Sequence, residues 1–224
     1  LFSILRPKDD GIFETRTLPK STIHLLSTSI GVIMTRILLI ALSILLSIPA
    51  SRAGVLRHVP GDFPVIQAAI NASASGDTVL VGPGTYPENL NFAGKNILLS
   101  SFFLFSEDTA AIRSTIIDGG HPVHSDTGSC VLFIHGETPD AVLQGFTLTG
   151  GVGTRWPDGH TGGFYREGGG ILMENSSPTI RHNRIVGNSA VDRTNVTSAG
   201  GGGIRCDGGN PRIFNNVISN NAGR

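Results

Sequence analysis

The chain has 224 residues, with 17 Lys and Arg against 17 Asp and Glu, 39% hydrophobic residues, 30 glycines and two cysteines. That length supports one substantial hydrophobic core. Balanced charge without a basic cluster argues against a nucleic-acid partner, and two cysteines are too few for a disulfide framework.

The sequence begins at Leu1 rather than Met, and residues 1–33 show no sustained hydrophobic period. They are expected to lie outside the native protein. A secretory signal is predicted over 34–53. Met34-Thr35-Arg36 supplies a short basic start, an apolar run covers 37–48, and Ser51 and Ala53 put small residues before a cut ahead of Gly54. The run is shorter than the ~20 residues of a membrane span, so no transmembrane segment is expected after cleavage. The expected product is secreted, displayed at the cell surface or periplasmic, and monomeric. Residues 54–224 hold eleven Lys and Arg against fourteen Asp and Glu, a net charge of −3. Export permits a bridge between Cys130 and Cys206, but their separation by two repeat units favours two separately buried thiols.

Ile66, Ala69 and Ile70 fall at i, i+3 and i+4, which predicts a short amphipathic helix. Gly76-Asp77 turns the chain into a β-branched strand over 78–81, and residues 82–85 turn it again. Short strands are predicted at 90–92, 96–100, 115–118, 130–134, 141–143, 146–149, 170–173, 179–181 and 184–186. From residue 168 the sequence repeats at an offset of thirty-three. Gly168-Gly169-Gly170-Ile171 recurs as Gly201-Gly202-Gly203-Ile204. Pro178, Ile180, Asn183, Ile185 and Asn188 recur as Pro211, Ile213, Asn216, Ile218 and Asn221. Leu143 and Leu148 keep the same five-residue spacing and mark a weaker upstream copy.

Such a period predicts stacked units that bury their apolar faces against one another. Ankyrin repeats share the period but need two helices per unit, which glycine triplets and three-residue Ile/Val runs do not supply. Leucine-rich repeats need more leucine and a helical half. The pattern instead predicts an all-β fold, a right-handed parallel β-helix solenoid with a short N-terminal capping helix. Strands would stack ~4.8 Å apart, with Gly and Asn at corners that need positive φ. The chain stops at Arg224 directly after a repeat, so the domain over 54–224 is expected to be truncated at its C-terminus.

Phe63-Pro64-x-Ile66-Gln67-Ala68-Ala69-Ile70, then Gly76-Asp77-Thr78-Val79 and Gly84-Thr85-Tyr86-x-Glu88, resemble the N-terminal cap and first coil of pectin-lyase-like β-helix proteins. Gly145-Phe146-Thr147-x-Thr149-Gly150-Gly151 and Ser177-Pro178-Thr179-Ile180 resemble the exported bacterial branch of that superfamily. The resemblance covers nearly all of 58–224. It implies the fold far more specifically than any activity, because the superfamily includes pectate lyases, pectin methylesterases, polygalacturonases and surface proteins without known catalysis.

Three sets of residues are candidates for chemistry. Counting six positions back from Leu143, Ile180 and Ile213 gives Glu137, Glu174 and Asp207. Stacked carboxylates would either splay into solvent as turn residues or share Ca²⁺. Asn183/Asn216 and Asn188/Asn221 predict an inward asparagine ladder rather than sugar contacts. The insertion at 151–168 gathers Arg155, Trp156, Asp158, His160 and Tyr165, and a second insertion at 191–199 adds Asp192 and Arg193. An aromatic platform beside Arg and Asp suits a sugar ring with its hydroxyls or carboxylate. No catalytic residue is assigned. The expected function is a carbohydrate-binding or adhesive scaffold for polysaccharide or a cell-surface glycan. The alternative is the N-terminal part of a polysaccharide lyase, esterase or glycoside hydrolase.

Overall fold

The computed structural model describes residues 3–46, 53–157, 162–191 and 200–223. Its contacts divide the chain into two units, Leu1–Ser51 and Arg52–Arg224. In the first, strands Ser3–Pro7 and Phe13–Thr17 form an antiparallel hairpin with every residue exposed, and a helix runs Lys20–Leu46. Residues 1–33 therefore carry regular elements that hydrophobic period alone did not indicate. Among the described residues, no helix is long and apolar enough to cross a membrane.

The second unit is mostly β and is built on three parallel sheets. The first sheet contains Leu56–Val59, Thr78–Val81, Leu98–Ser101, Val142–Gln144, Thr179–Arg181 and Arg212–Phe214, side by side in chain order. The second contains Gly84–Tyr86, Thr115–Asp118, Thr147–Thr149, Arg184–Val186 and Val217–Ser219. The third contains Leu90–Asn91, Val131–Phe133, Ile171–Glu174 and Ile204–Asp207. From Thr78 onward the chain visits the three sheets in the same order.

Register follows the sequence repeat. Leu143 pairs with Ile180 and Ile180 with Ile213. Leu148 pairs with Ile185 and Ile185 with Ile218, while Ile171 pairs with Ile204. Leu143, Leu148, Ile171, Ile180 and Ile185 are fully buried in one core cluster. In strands this short, only one or two side chains per strand face inward. Repetition from passage to passage, rather than the length of any strand, therefore builds the core.

Asparagines close the corners from within. Asn183 Nδ2 donates to Leu143 O at 2.9 Å and to Asn216 Oδ1 at 3.2 Å, while its Oδ1 accepts from Phe146 N at 3.1 Å. Asn188 repeats the arrangement with Leu148 O, Asn221 Oδ1 and Gly151 N, each at 3.0 Å. These amides satisfy backbone groups that the turns leave unpaired and buried. The residue before each ladder asparagine is left-handed: His182, Gly187, Asn215 and Asn220 have φ of 55°, 69°, 55° and 54°. Glycine and asparagine adopt that conformation at least cost. His182 is the exception.

The predicted helix is Ile66–Ala72, with Ile66, Ala69 and Ile70 buried. Its ends are closed by charged side chains that follow it in the chain. Glu88 accepts from Ile66 N and Gln67 N at 2.8 and 2.9 Å, and Lys95 Nζ donates to Ile70 O and Asn71 O at 2.7 and 2.6 Å. Both charges match the helix dipole. The Glu88 of Gly-Thr-Tyr-x-Glu is thus a helix cap in this chain.

Four features depart from the sequence reading. Gly84 and Thr85, expected within a turn over 82–85, belong to the strand Gly84–Tyr86 because Thr115–Asp118 offers a parallel edge. Leu56–Val59 adds a strand ahead of the helix. Residues 103–114 fold as two short helices, Phe103–Ser106 and Thr109–Ser114. Both cysteines are free, Cys130 buried and Cys206 only partly buried, so Cys206 does not occupy the enclosed position expected of it.

Candidate functional site

The insertion between Thr147–Thr149 and Ile171–Glu174 is a hairpin of Gly153–Pro157 and Phe164–Glu167. It joins Thr127–Gly128 in a separate three-stranded antiparallel sheet. Its root is locked into the body. Thr154 and Glu167 are opposite one another and buried. Ser129 Oγ lies 2.8 Å from Thr154 Oγ1 and donates to Glu167 O at 3.4 Å.

Two pairs further out, Trp156 stands opposite Tyr165 on the same face of the hairpin, both half-buried. Strand alternation puts Arg155 and Arg166 on the other face. Arg155 is opposite Arg166, and its guanidinium lies 4.7 Å from the centroid of the Phe164 ring. Arg166 Nη1 donates to Gly153 O at 3.0 Å. The structure therefore brings Trp156 and Tyr165 together and sends Arg155 to the opposite face, where it stacks on a phenylalanine that the sequence reading did not single out. Asp158, His160, Asp192 and Arg193 lie outside the described residues.

The predicted row of three carboxylates is only partly assembled. Glu174 and Asp207 are register partners on the third sheet. Glu137 does not join them. Val142 lies nine positions after Phe133, whereas Thr179 lies six after Met173 and Arg212 six after Cys206. Three extra residues in the earlier turn move Glu137 out of register. Buried in that turn, it accepts from Gly94 N at 2.9 Å, His135 N at 3.0 Å and Ser176 Oγ at 2.8 Å. These bonds tie neighbouring passages together. Among the described residues, no group of three His, Cys, Asp or Glu is placed to hold a metal, so the expected Ca²⁺ triad of Glu137, Glu174 and Asp207 does not come together.

Arg205 organises what remains. Its Nε donates to Glu167 Oε2 at 3.2 Å and its Nη2 to Asp207 Oδ2 at 3.3 Å. Glu167 is almost fully buried, and its Oε1 has no hydrogen-bond partner. Partial burial, reinforced by Asp207 and Glu167, pushes the Glu174 carboxyl above its ordinary range. The root of the aromatic hairpin is thus continuous, through Glu167 and Arg205, with a polar strip on the third sheet. Arg205 escaped the sequence reading because it follows Ile204 without a counterpart in the preceding unit, where Leu172 is its register partner. The available signal was strand alternation, which puts Arg205 on the same face as Asp207.

Comparison with models of known protein families, with curated proteins and with solved structures found no match.

Proposed function

We propose that this chain is an exported, right-handed parallel β-helix protein of the pectin-lyase-like kind, and that it binds carbohydrate as a non-catalytic surface or secreted scaffold. The solenoid reading is supported by three parallel sheets visited in constant order, aligned aliphatics and two asparagine ladders. The binding reading rests on one observation above all, the Trp156–Tyr165 pair on a hairpin rooted beside Glu167 and Arg205. Flat aromatic rings suit the apolar face of a sugar, and the adjoining carboxylates and guanidinium suit its hydroxyls. A rigid body that displays a long insertion is a common way of building such sites.

Affinity electrophoresis through gels containing acidic or neutral polysaccharides tests this reading. The parent protein is expected to be retarded by at least one polysaccharide, and Trp156→Ala and Tyr165→Ala are each expected to restore free mobility. Unchanged mobility of the parent on every gel would refute carbohydrate binding at the hairpin.

A further inference from the structure

In its second passage the chain does not turn directly from the first sheet to the second. Residues 102–114 intervene, with helices Phe103–Ser106 and Thr109–Ser114. Two bonds fix this insertion. Asp108 accepts from Ala110 N at 2.8 Å and so caps the second helix, and Thr147 Oγ1 donates to Ile112 O at 2.9 Å. The Phe103 ring is buried 5.1 Å from that of His182, which meets Phe214 edge-on at 6.3 Å. Between the insertion and this corner lies a groove of about 580 Å³, within the range of small-molecule sites.

Two arginines and one carboxylate, Glu107, line the groove, leaving an excess of one positive charge. Arg113 reaches the groove from the insertion and Arg184 from the second sheet. Neither side chain has a hydrogen bond or ion pair among the described residues. Arg57 and Arg205, by contrast, are paired with Asp77 and with Glu167 and Asp207. Two guanidinium groups without protein partners in one groove offer more donors than the single Glu107 carboxylate can use, and a ligand carboxylate suits them. Phe103, Ile112 and Val217 give the groove an apolar wall, Asn215 adds an amide, and the Glu107 carboxylate favours seating the ligand's acid group on the arginine side.

The geometry points to a binding site for a small ring compound bearing a carboxylate, with the carboxylate between Arg113 and Arg184 and the ring against Phe103 and His182. This site is separate from the hairpin. It occupies the corner between the first and second sheets, whereas the hairpin interrupts the passage from the second to the third.

Calorimetric titration of the full chain with glucuronate and with benzoate tests the assignment. At least one acid binds, and its methyl ester does not. Arg113→Gln and Arg184→Gln each weaken binding by about tenfold or more, and the double variant abolishes it. Arg212→Gln, at an exposed arginine that does not line the groove, leaves it unchanged. Binding of glucuronate alone would identify a sugar acid, and of benzoate alone an aromatic acid; either supports the site. Failure of both acids to bind overturns it. So does equal binding of the ester, or a loss in Arg212→Gln as large as in Arg113→Gln. Loss of acid binding in Trp156→Ala would move the ligand to the hairpin and remove the groove assignment.

Discussion

The lean corners and the elaborated ones obey different rules. At the corner between the first and second sheets, the later passages turn on one left-handed residue followed by an inward asparagine, His182-Asn183 and Asn215-Asn216. The second passage spends two helices there, and the third spends a hairpin before the third sheet. The lean corners recur because stacking demands the same bonds at every level. The elaborated ones occur once, so no neighbouring level dictates their bonds.

That contrast predicts where substitutions hurt. The largest expected effect is on Cys130, which lies beside the Asn188 ladder with its Sγ 3.3 Å from Asn188 Oδ1. Burial pushes its thiol from an ordinary 9.0 up to about 12. At a given neutral pH this means roughly a thousandfold less thiolate than in the unfolded chain. Iodoacetamide should therefore label Cys206 in the native protein and Cys130 only on unfolding, as peptide mass spectrometry will show. The folded state holds the Cys130 proton more tightly, so its contribution is complete below about pH 9 and is lost as pH rises towards about 12. In Cys130→Ala that alkaline loss should shrink, measured by urea denaturation at pH 8 and pH 10.5.

Next come the ladders. Asn188→Ala strips partners from Leu148 O, Gly151 N and Asn221 Oδ1. It should cost about 3 kcal/mol in chemical denaturation, whereas Asn221→Ala, one level out, should cost about 1 kcal/mol. Equal costs would mean that the two levels do not differ in burial. Glu88→Gln weakens the charged cap on Ile66–Ala72 and should cost about 1 kcal/mol. The smallest stability effect belongs to the elaborated region: Trp156→Ala should cost under about 1 kcal/mol while abolishing glycan retention. A larger cost would make the hairpin part of the core.

The same contrast explains what the sequence revealed. Strands at 115–118, 179–181 and 184–186, the helix over Ile66–Ala72 and the partners of Asn183 and Asn188 were legible because each is dictated by local pattern or by repetition. The hairpin was legible only as an insertion. Its strands form by pairing with each other and with Thr127–Gly128, a long-range choice that no short window contains. Glu137 was misplaced because the six-residue count assumed turns of equal length. The Arg113–Arg184 groove was invisible, since its two arginines lie 71 positions apart in sequence and come to line one groove only through the insertion's fold.

The most direct test of the stacked register is methyl NOE spectroscopy on Leu/Ile-labelled protein. The account predicts cross-peaks from Leu143 to Ile180 and from Ile180 to Ile213, with none between Leu143 and Ile213, because partners stand one strand spacing apart and the outer two stand two apart. Absence of both neighbouring cross-peaks, or a direct one between Leu143 and Ile213, would contradict it.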